Sequence, residues 1–321
     1  MNESRVGVTA FAPGGVGNVG PGLDILGLAL EGEGDRVTAA WSDTPGVHIL
    51  ESGHRELPDD ARRHTSGLAA QAVLERVGDE RCRRKGVSLR VQKGLPLSGG
   101  QGGSAASAVA GAVAVNALLG NPLDRWELVD ACLVAEESVS GRHADNVAPS
   151  LLGGIVLIRS LAPLDLIRLP VPPELCVVVA RPDQRLRTAD ARTVLPREVP
   201  RSIAIHQAAQ VAALVAALGT GDYELLGRAI DDRIAEPVRA PLLPGFLEAK
   251  KAALAAGALG CSISGAGPSS FALVRGTSAG QRVAQAMLSA YAARGQSCQV
   301  RVTRVDQEGA RVITGKPDTP A

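Results

Sequence analysis

Apolar and polar positions alternate through Val6, Val8 and Ala10, the period-2 pattern of a half-buried strand. Leu28 and Leu30, then Val37, Ala39 and Trp41, predict further strand pieces. Residues 42–63 are polar and turn-rich, and no element is predicted there. Leu68, Ala72 and Val77 predict a helix. Val87, Leu89 and Val91 alternate with Ser88, Arg90 and Gln92, giving a clean strand that feeds a glycine-rich loop. The helix after that loop carries Ala105, Val109, Ala112, Val113 and Leu119 and stops at Gly120. Asn121-Pro122 turns the chain into a helix from about Leu123 to Glu137, whose apolar face holds Trp126, Val129, Cys132 and Leu133. Glu136 falls on that same face, and Glu137 points elsewhere.

Ile155 to Ile158 and Cys176 to Ala180 are short apolar strands, and the Ala162-Pro163 region opens a second domain. Residues 183–201 are loop-like and rich in arginine. Helices are predicted near 203–218, 222–230 and 245–256. A second glycine loop, Cys261 to Pro268, precedes a strand at Phe271 to Val274, a helix at Val283 to Tyr291 and a strand at Val300 to Val305. The tail from Gly315 to Ala321 is expected to be disordered. Strands and helices interleave without long β-α alternation, so the class is α+β. The expected domains are 1–160 and 161–314, with 315–321 as the tail.

Composition narrows the partners. The chain of 321 residues is 45% hydrophobic and 21% charged, as in a globular soluble protein. Aromatics are 2%, so the core must be built from Val, Leu, Ile and Ala. Net charge is +1 with no basic stripe, which argues against a nucleic-acid partner. The five cysteines are odd in number and scattered without a C-x-x-C, which fits free thiols in a reducing cytosol better than disulfides or zinc. Pro13, Gly14 and Gly15 break any leader-like run, and the apolar helix from Ala105 to Leu119 is too short to span a bilayer. The expectation is a cytoplasmic protein with no membrane partner.

The candidate chemistry centres on Pro96-Leu97-Ser98-Gly99-Gly100-Gln101-Gly102-Gly103-Ser104-Ala105-Ala106-Ser107. Glycines let the backbone approach a bound group, and the helix that follows presents free N–H groups and the positive end of its dipole. Loop and helix start together make an anion pocket suited to phosphate. It is not a Walker A loop, because no lysine follows the glycines. Gly100-x-Gly102-x-x-Ala105 and Gly15-x-Gly17-x-x-Gly20, with Asp35 following the latter, match a dinucleotide pattern in form. Pro21-Gly22 obstructs the helix that such a fold requires, and Asp35 sits among glycines rather than at a strand end. Glu136 is read either as a helix-end carboxylate paired with an arginine or as an inward carboxylate for Mg²⁺ shared with substrate phosphates. Singly, His143-Ala144-Asp145-Asn146 reads as a polar loop, Arg192 and Arg239 as surface arginines. Local patterns alone give a phosphate-binding α+β protein, with kinase among its readings.

The ordered set is similar to the GHMP family of small-molecule kinases, specifically its homoserine-phosphorylating branch. Pro13 to Asp24, retaining Asn18, Gly20, Pro21, Gly22 and Asp24, resembles the family's first signature, and Pro96 to Ala106 its second. His143-Ala144-Asp145-Asn146-Val147-Ala148-Pro149 with Leu152-Gly153-Gly154, and Arg233 to Arg239 with Leu243-Pro244-Gly245-Phe246, resemble that branch. Thr188-x-x-x-Arg192-x-x-Leu195-Pro196 and Ser264 to Pro268 match in kind. The resemblance implies transfer of the ATP γ-phosphoryl group to the side-chain hydroxyl of L-homoserine. It implies an N-terminal domain like domain 2 of ribosomal protein S5, a ferredoxin-like C-terminal domain, a site between them and a homodimer.

By the same resemblance, Pro96 to Ala106 bind ATP, and Glu136 with Ser104 holds Mg²⁺. Arg192 and Arg239 take the substrate carboxylate and Asp24 its ammonium, while Asn18, His143 and Asn146 orient the amino acid and its hydroxyl. Thr188 and Gly265 complete the substrate pocket. Asn18, His143, Asn146 and Arg192 are the expected catalytic groups, and no carboxylate base is assigned. The sequence departs from the family pattern at Gly15-Val16-Gly17, where Thr-Ser-Ala is usual and two hydroxyls are lost, at Leu23 in place of a phenylalanine, at Gln101 in place of a leucine, and at Gly103 in place of a serine. Three alternatives stay open: a GHMP kinase for another small alcohol, an NAD(P)-dependent oxidoreductase, and a catalytically weak regulatory relative.

Overall fold

Two antiparallel-dominated sheets organise the computed structural model, which describes residues 7–313 except 79, 81–83 and 140. The expected tail disorder at 315–321, the Cys82 thiol and the Val6 start of the first strand lie outside these residues. The first sheet contains β1 (Val8–Gly17), β2 (Leu26–Ser42), β3 (Val47–Glu51), β4 (Gly86–Gln92), β5 (Ile155–Leu161), β6 (Leu164–Leu169) and β11 (Arg311–Ile313). The second contains β7 (Leu175–Pro182), β8 (Gly260–Ile263), β9 (Ser270–Arg275) and β10 (Cys298–Thr303), in the order β10-β7-β9-β8. The class is α+β, as expected.

Several local readings are corrected. Pro13 to Gly17 are strand rather than loop: β1 pairs β2 through Gly17↔Gly27, with an irregularity between Pro13 and Gly15 that absorbs the proline. The pieces around Leu28 and Val37 are one long strand, β2, because its two ends find different partners, β5 and β4. The polar stretch 42–63 contains β3, paired in parallel with β4. Pairing with β1 explains the unpredicted β11. Ala162-Pro163 turns the β5–β6 hairpin, so both strands flanking the expected 160/161 boundary belong to the first sheet.

Ten helices among the described residues cover the sheets: α1 (Thr65–Val77), α2 (Gly103–Leu118), α3 (Arg125–Glu137), α4 (Val147–Leu152), α5 (Thr188–Thr193), α6 (Arg201–Thr220), α7 (Tyr223–Arg228), α8 (Glu236–Arg239), α9 (Phe246–Ala255) and α10 (Thr277–Ala293). The short α5 interrupts the arginine-rich stretch read as loop. Helix α2 is Ala-rich and buried nearly all round, which lets α1, α3, β1 and β2 pack directly against its backbone. Asp124 starts α3 with a reciprocal capping box to Glu127. A second apolar cluster, with Leu26, Leu28 and Ile155 from one sheet and Val177, Val179 and Phe271 from the other, joins the two sheets. Helix α6 is long and apolar enough by length and composition to cross a membrane, which the sequence reading did not weigh; Leu214, Ala217 and Leu218 bury its inner side in that joining cluster.

One polar cluster ties the first sheet to α2. Asp35, mid-strand in β2 and wholly buried, pairs with Lys93 and accepts from Ser107 Oγ at 2.6 Å. It also accepts the amides of Gly94 and Leu95 at 3.0 and 3.2 Å. Lys93 Nζ donates onward to the Gly103 carbonyl and Ser107 Oγ, both at 2.9 Å. The strand exit, the glycine loop and the helix start therefore share one carboxylate. Asp35→Ala leaves Lys93 buried without its counter-ion, so urea unfolding should show a loss of about 3–5 kcal/mol. A loss below about 1 kcal/mol, the scale of an exposed pair, would mean the cluster does not hold these segments together.

Candidate active site

The loop between β4 and α2 forms one wall of a cavity of about 570 Å³ between the two halves of the molecule. Gly102 precedes α2 at φ +68°, and a Cβ there would sit 2.7 Å from Asn146 Oδ1, so position 102 requires glycine on both counts. The first i→i−4 bond of α2 runs from the Ala106 amide to the Gly102 carbonyl at 2.9 Å. The amides of Gly103, Ser104 and Ala105 thus precede the helical ladder, and Ala106 spends its own within it. Pro96, Leu97, Ser98, Gly99, Gly100, Gly102, Gly103 and Ser104 line the cavity. The side chains of Gln101, Ala105 and Ala106 do not: Ala105 and Ala106 are wholly buried in the core, and Gln101 turns to Arg301. Lys93, which precedes the glycines rather than following them, also lines the cavity.

The opposite wall gathers charged and polar groups from distant segments. Asn18 adopts φ +68° just past β1, and its side chain spans the seam, donating to the Gly265 carbonyl at 3.0 Å while accepting the Asp24 amide at 3.0 Å. Asp24 accepts from both terminal guanidinium nitrogens of Arg192, at 2.9 and 3.3 Å, and His143 Nδ1 lies 3.4 Å from it. Arg239 is buried, its Nε donating to the Ala191 carbonyl and one terminal nitrogen to the Gly265 carbonyl. Thr188, at the start of α5, lines the cavity with them, as do Asn146 and Gly265. Every expected substrate-binding residue is therefore in one cavity. Among the described residues, four of the five non-glycine residues with positive φ (Asn18, Val19, Asp24 and Ser98) stand in the two loops that bound it.

Glu136 reaches the cavity from the last turn of α3 with 6% exposure, on the inward face expected for it, while Glu137 is exposed. Between Glu136 and Asp24 lies Asp145, which the sequence reading left without a role. Burial, then the like charges of Asp24 and Glu136, push its carboxyl up to about 7, against Arg192 and the Asn18 amide that bonds its Oδ2 at 3.2 Å. A Cβ on Gly17 would lie 2.5 Å from Asp145 Oδ2, so the end of β1 passes close against that carboxyl. Burial, with Arg192 nearby, also lowers the His143 pKa, opposed by Asp24; burial lowers that of Arg239.

The residues missed in sequence share a reason. Leu57, Pro58 and Arg63 form a wall from the stretch read as featureless, and Arg185 and Arg187 face it from the other half. Arg185 reaches Glu56 at 2.7 Å across the mouth. None stands in a periodic segment; His64, accepting the Ser66 amide as the N-cap of α1, is the one local signal. As the Pro21-Gly22 obstruction implies, no dinucleotide-type helix follows: β1 continues through Gly15 to Gly17 and the next element is β2.

The chain is similar to known proteins over nearly its whole length. Residues 64–154 match the GHMP kinases N terminal domain and residues 214–293 the GHMP kinases C terminal domain. A homoserine kinase of Chlorobium phaeobacteroides is 43% identical over 95% of this chain and 99% of its own length. One from Arabidopsis thaliana is 43% identical over 96% of this chain and 85% of its own. The crystal structure of homoserine kinase from Cytophaga hutchinsonii superposes with a TM-score of 0.92 at 42% identity, covering 98% of this chain and 99% of that one. L. major mevalonate kinase, at 17% identity, 94% and 97% coverage and a TM-score of 0.69, shares the fold.

The buried carboxyl of Asp145 gives the site a measurable pH signature. Its folded pKa of about 7 stands above the usual 3.8, so the folded state holds a proton that the unfolded chain releases. The stability it contributes is full below pH 3.8 and is lost as pH rises through about 7. Asp145→Asn keeps an acceptor for the Asn18 amide and carries no charge. Thermal midpoints measured from about pH 4 to about pH 8 should show the variant gaining on the parent as pH rises; parallel curves would mean that Asp145 is already ionised in the acid range.

Proposed function

The chain belongs to the GHMP kinase family, and we propose that it transfers the γ-phosphoryl group of ATP to the side-chain hydroxyl of L-homoserine, giving O-phospho-L-homoserine. One observation carries the reading: the glycine loop with the α2 N-terminus and the Asn18, Asp24, Arg192 and Arg239 cluster line the same cavity. The near-full-length likeness to homoserine kinases supports the choice of substrate. Phosphoryl transfer asks mainly for positioning and for stabilisation of spread negative charge. The amides of Gly103, Ser104 and Ala105, with the backbone from Ser98 to Gly102, cradle the phosphates.

A zwitterionic alcohol fits the facing wall. The Arg192 and Arg239 guanidinium groups bind its carboxylate, and Asp24 receives its ammonium. Homoserine entering this way meets Asp24 and Arg192 already paired with each other, so each charge exchanges one partner for another rather than losing one. Asn18, His143, Asn146 and Thr188 orient the molecule so that its hydroxyl lies beside the phosphate loop, where Asn146 abuts Gly102.

The residues fit a magnesium ion. Among the described residues no group of three or more acidic, histidine or cysteine side chains could hold a metal ion by itself; the cavity offers the buried carboxyls of Glu136 and Asp145, and the Ser104 hydroxyl and the phosphate loop line it too. That is a donor set completed by substrate phosphates. Bound there, the ion would neutralise charge on the phosphates. The same reading makes the protein a cytoplasmic homodimer without nucleic-acid or membrane partners. It is supported by the four unpaired cysteines among the described residues and by the near-zero net charge; sedimentation checks the oligomeric state.

Purified protein with Mg-ATP and, in turn, L-homoserine, L-serine, mevalonate or NAD⁺ tests the activity through ADP release. Release dependent on homoserine is expected. Turnover with NAD⁺ alone, or nucleotide binding without turnover, would replace the reading with an oxidoreductase or a regulatory relative. Arg239→Ala should raise the KM for homoserine by about tenfold or more with ATP affinity nearly intact; equal losses would contradict its role. Glu136→Ala should weaken use of Mg-ATP, and an unchanged Mg²⁺ dependence would remove it from the site.

A further inference from the structure

The outer arc of the phosphate loop is held from the second sheet by three consecutive contacts. Ser269 Oγ donates to the Gly99 carbonyl at 2.5 Å and Ser264 Oγ to the Gly100 carbonyl at 2.6 Å. The third contact is received by a side chain rather than a carbonyl of the backbone: Arg301 of β10 donates to Gln101 Oε1 at 3.3 Å. Gln101 is 3% exposed, and its own carbonyl accepts the Gly15 amide at 3.0 Å, so both ends of the residue are engaged. Arg301 is itself fixed, donating to the Glu31 carbonyl at 3.0 Å and pairing through Nε with Glu33 at 3.3 Å. A cavity of about 150 Å³ between Gln101, Arg181 and Arg301 lies behind this contact, on the far side of the loop from the active site.

The leucine usual at position 101 of the family pattern could not accept from Arg301. We propose that Arg301 is a positioning residue for the nucleotide, acting through Gln101 to hold the phosphate loop in the register that aims its amides into the cavity. The proposal rests on the reading of the loop as the phosphate site. Arg301 touches no substrate. Its guanidinium joins three segments at one point: β10, the Glu31–Glu33 part of β2 and the midpoint of the loop. With Ser264 and Ser269 holding the adjacent carbonyls, removing Arg301 frees one residue of the arc rather than the whole loop.

The test is a double-mutant cycle on the intact enzyme, using Arg301→Met, Gln101→Leu and the pair, with KM for ATP, KM for homoserine and kcat measured separately. Each single variant should raise the KM for ATP about tenfold while the KM for homoserine stays within about twofold. The pair should be no worse than either single variant, because both remove the same contact. Arg301→Lys, which keeps charge and stem without the planar fork, should recover part of the loss, and it supplies the measurement if Arg301→Met does not fold. Unchanged ATP KM in Arg301→Met, or losses that add in the pair, would overturn the proposal. Gly102→Val separates the two levels. If it leaves the ATP KM intact, the phosphate-loop reading itself fails; if it raises the ATP KM while Arg301→Met does not, only the role of Arg301 fails.

Discussion

A single buried carboxylate fixes where the active site begins. Asp35 has no access to water, and an ionised carboxylate in that position is tolerable only when its lone pairs are met by donors. It is met by Lys93, the Ser107 hydroxyl and the amides of Gly94 and Leu95. Those four donors lie on the strand exit, at the start of the loop and one turn into α2. The loop between them, rich in glycine and weak in intrinsic preference, is thereby pinned at both ends before any ligand arrives. Preorganised main-chain dipoles cost no rearrangement when charge arrives, and a floppy loop of the same composition would.

From that fixed wall the rest of the site is a matter of what the second half brings across the seam. The Gly265 carbonyl accepts from both Asn18 and Arg239, so one backbone atom ties the substrate wall of the first half to an arginine of the second. Ser264 and Ser269, flanking it, hold the phosphate loop from the same side. The cavity is thus bounded by groups that brace one another, with apolar packing between the sheets behind them. The positive φ values of Asn18, Val19 and Asp24 persist because these bonds over-determine the loop.

Much of this was legible locally. The strand at Val87 to Val91, the helix starting past Gly102 and the inward placement of Glu136 follow from period and spacing, and each is realised. The ordered motifs carried the substrate-side residues, and all of them reach one cavity. Errors arose where a residue's role depends on a distant partner. Pro13 to Gly17 read as loop because proline and glycine disfavour strands, yet a bulged pairing with β2 accommodates them. Asp35 read only as an acid among glycines outside a strand end, when it lies within β2 and Lys93 and Ser107, far along the chain, make its burial tolerable.

The sequence by itself determined the class of fold and the glycine-rich loop that leads into a helix, because these depend on short-range geometry, while the residues proposed for the amino-acid substrate came from the resemblance of ordered motifs. Tertiary structure alone decided that Asp145 lies between two like charges, that Gln101 faces Arg301 rather than the cavity, and that Asp24 meets Arg192. Each of those facts is a distance between residues far apart in the chain. Pairings of that kind leave no periodic trace, since the energy that fixes them is released only when both segments are already in place.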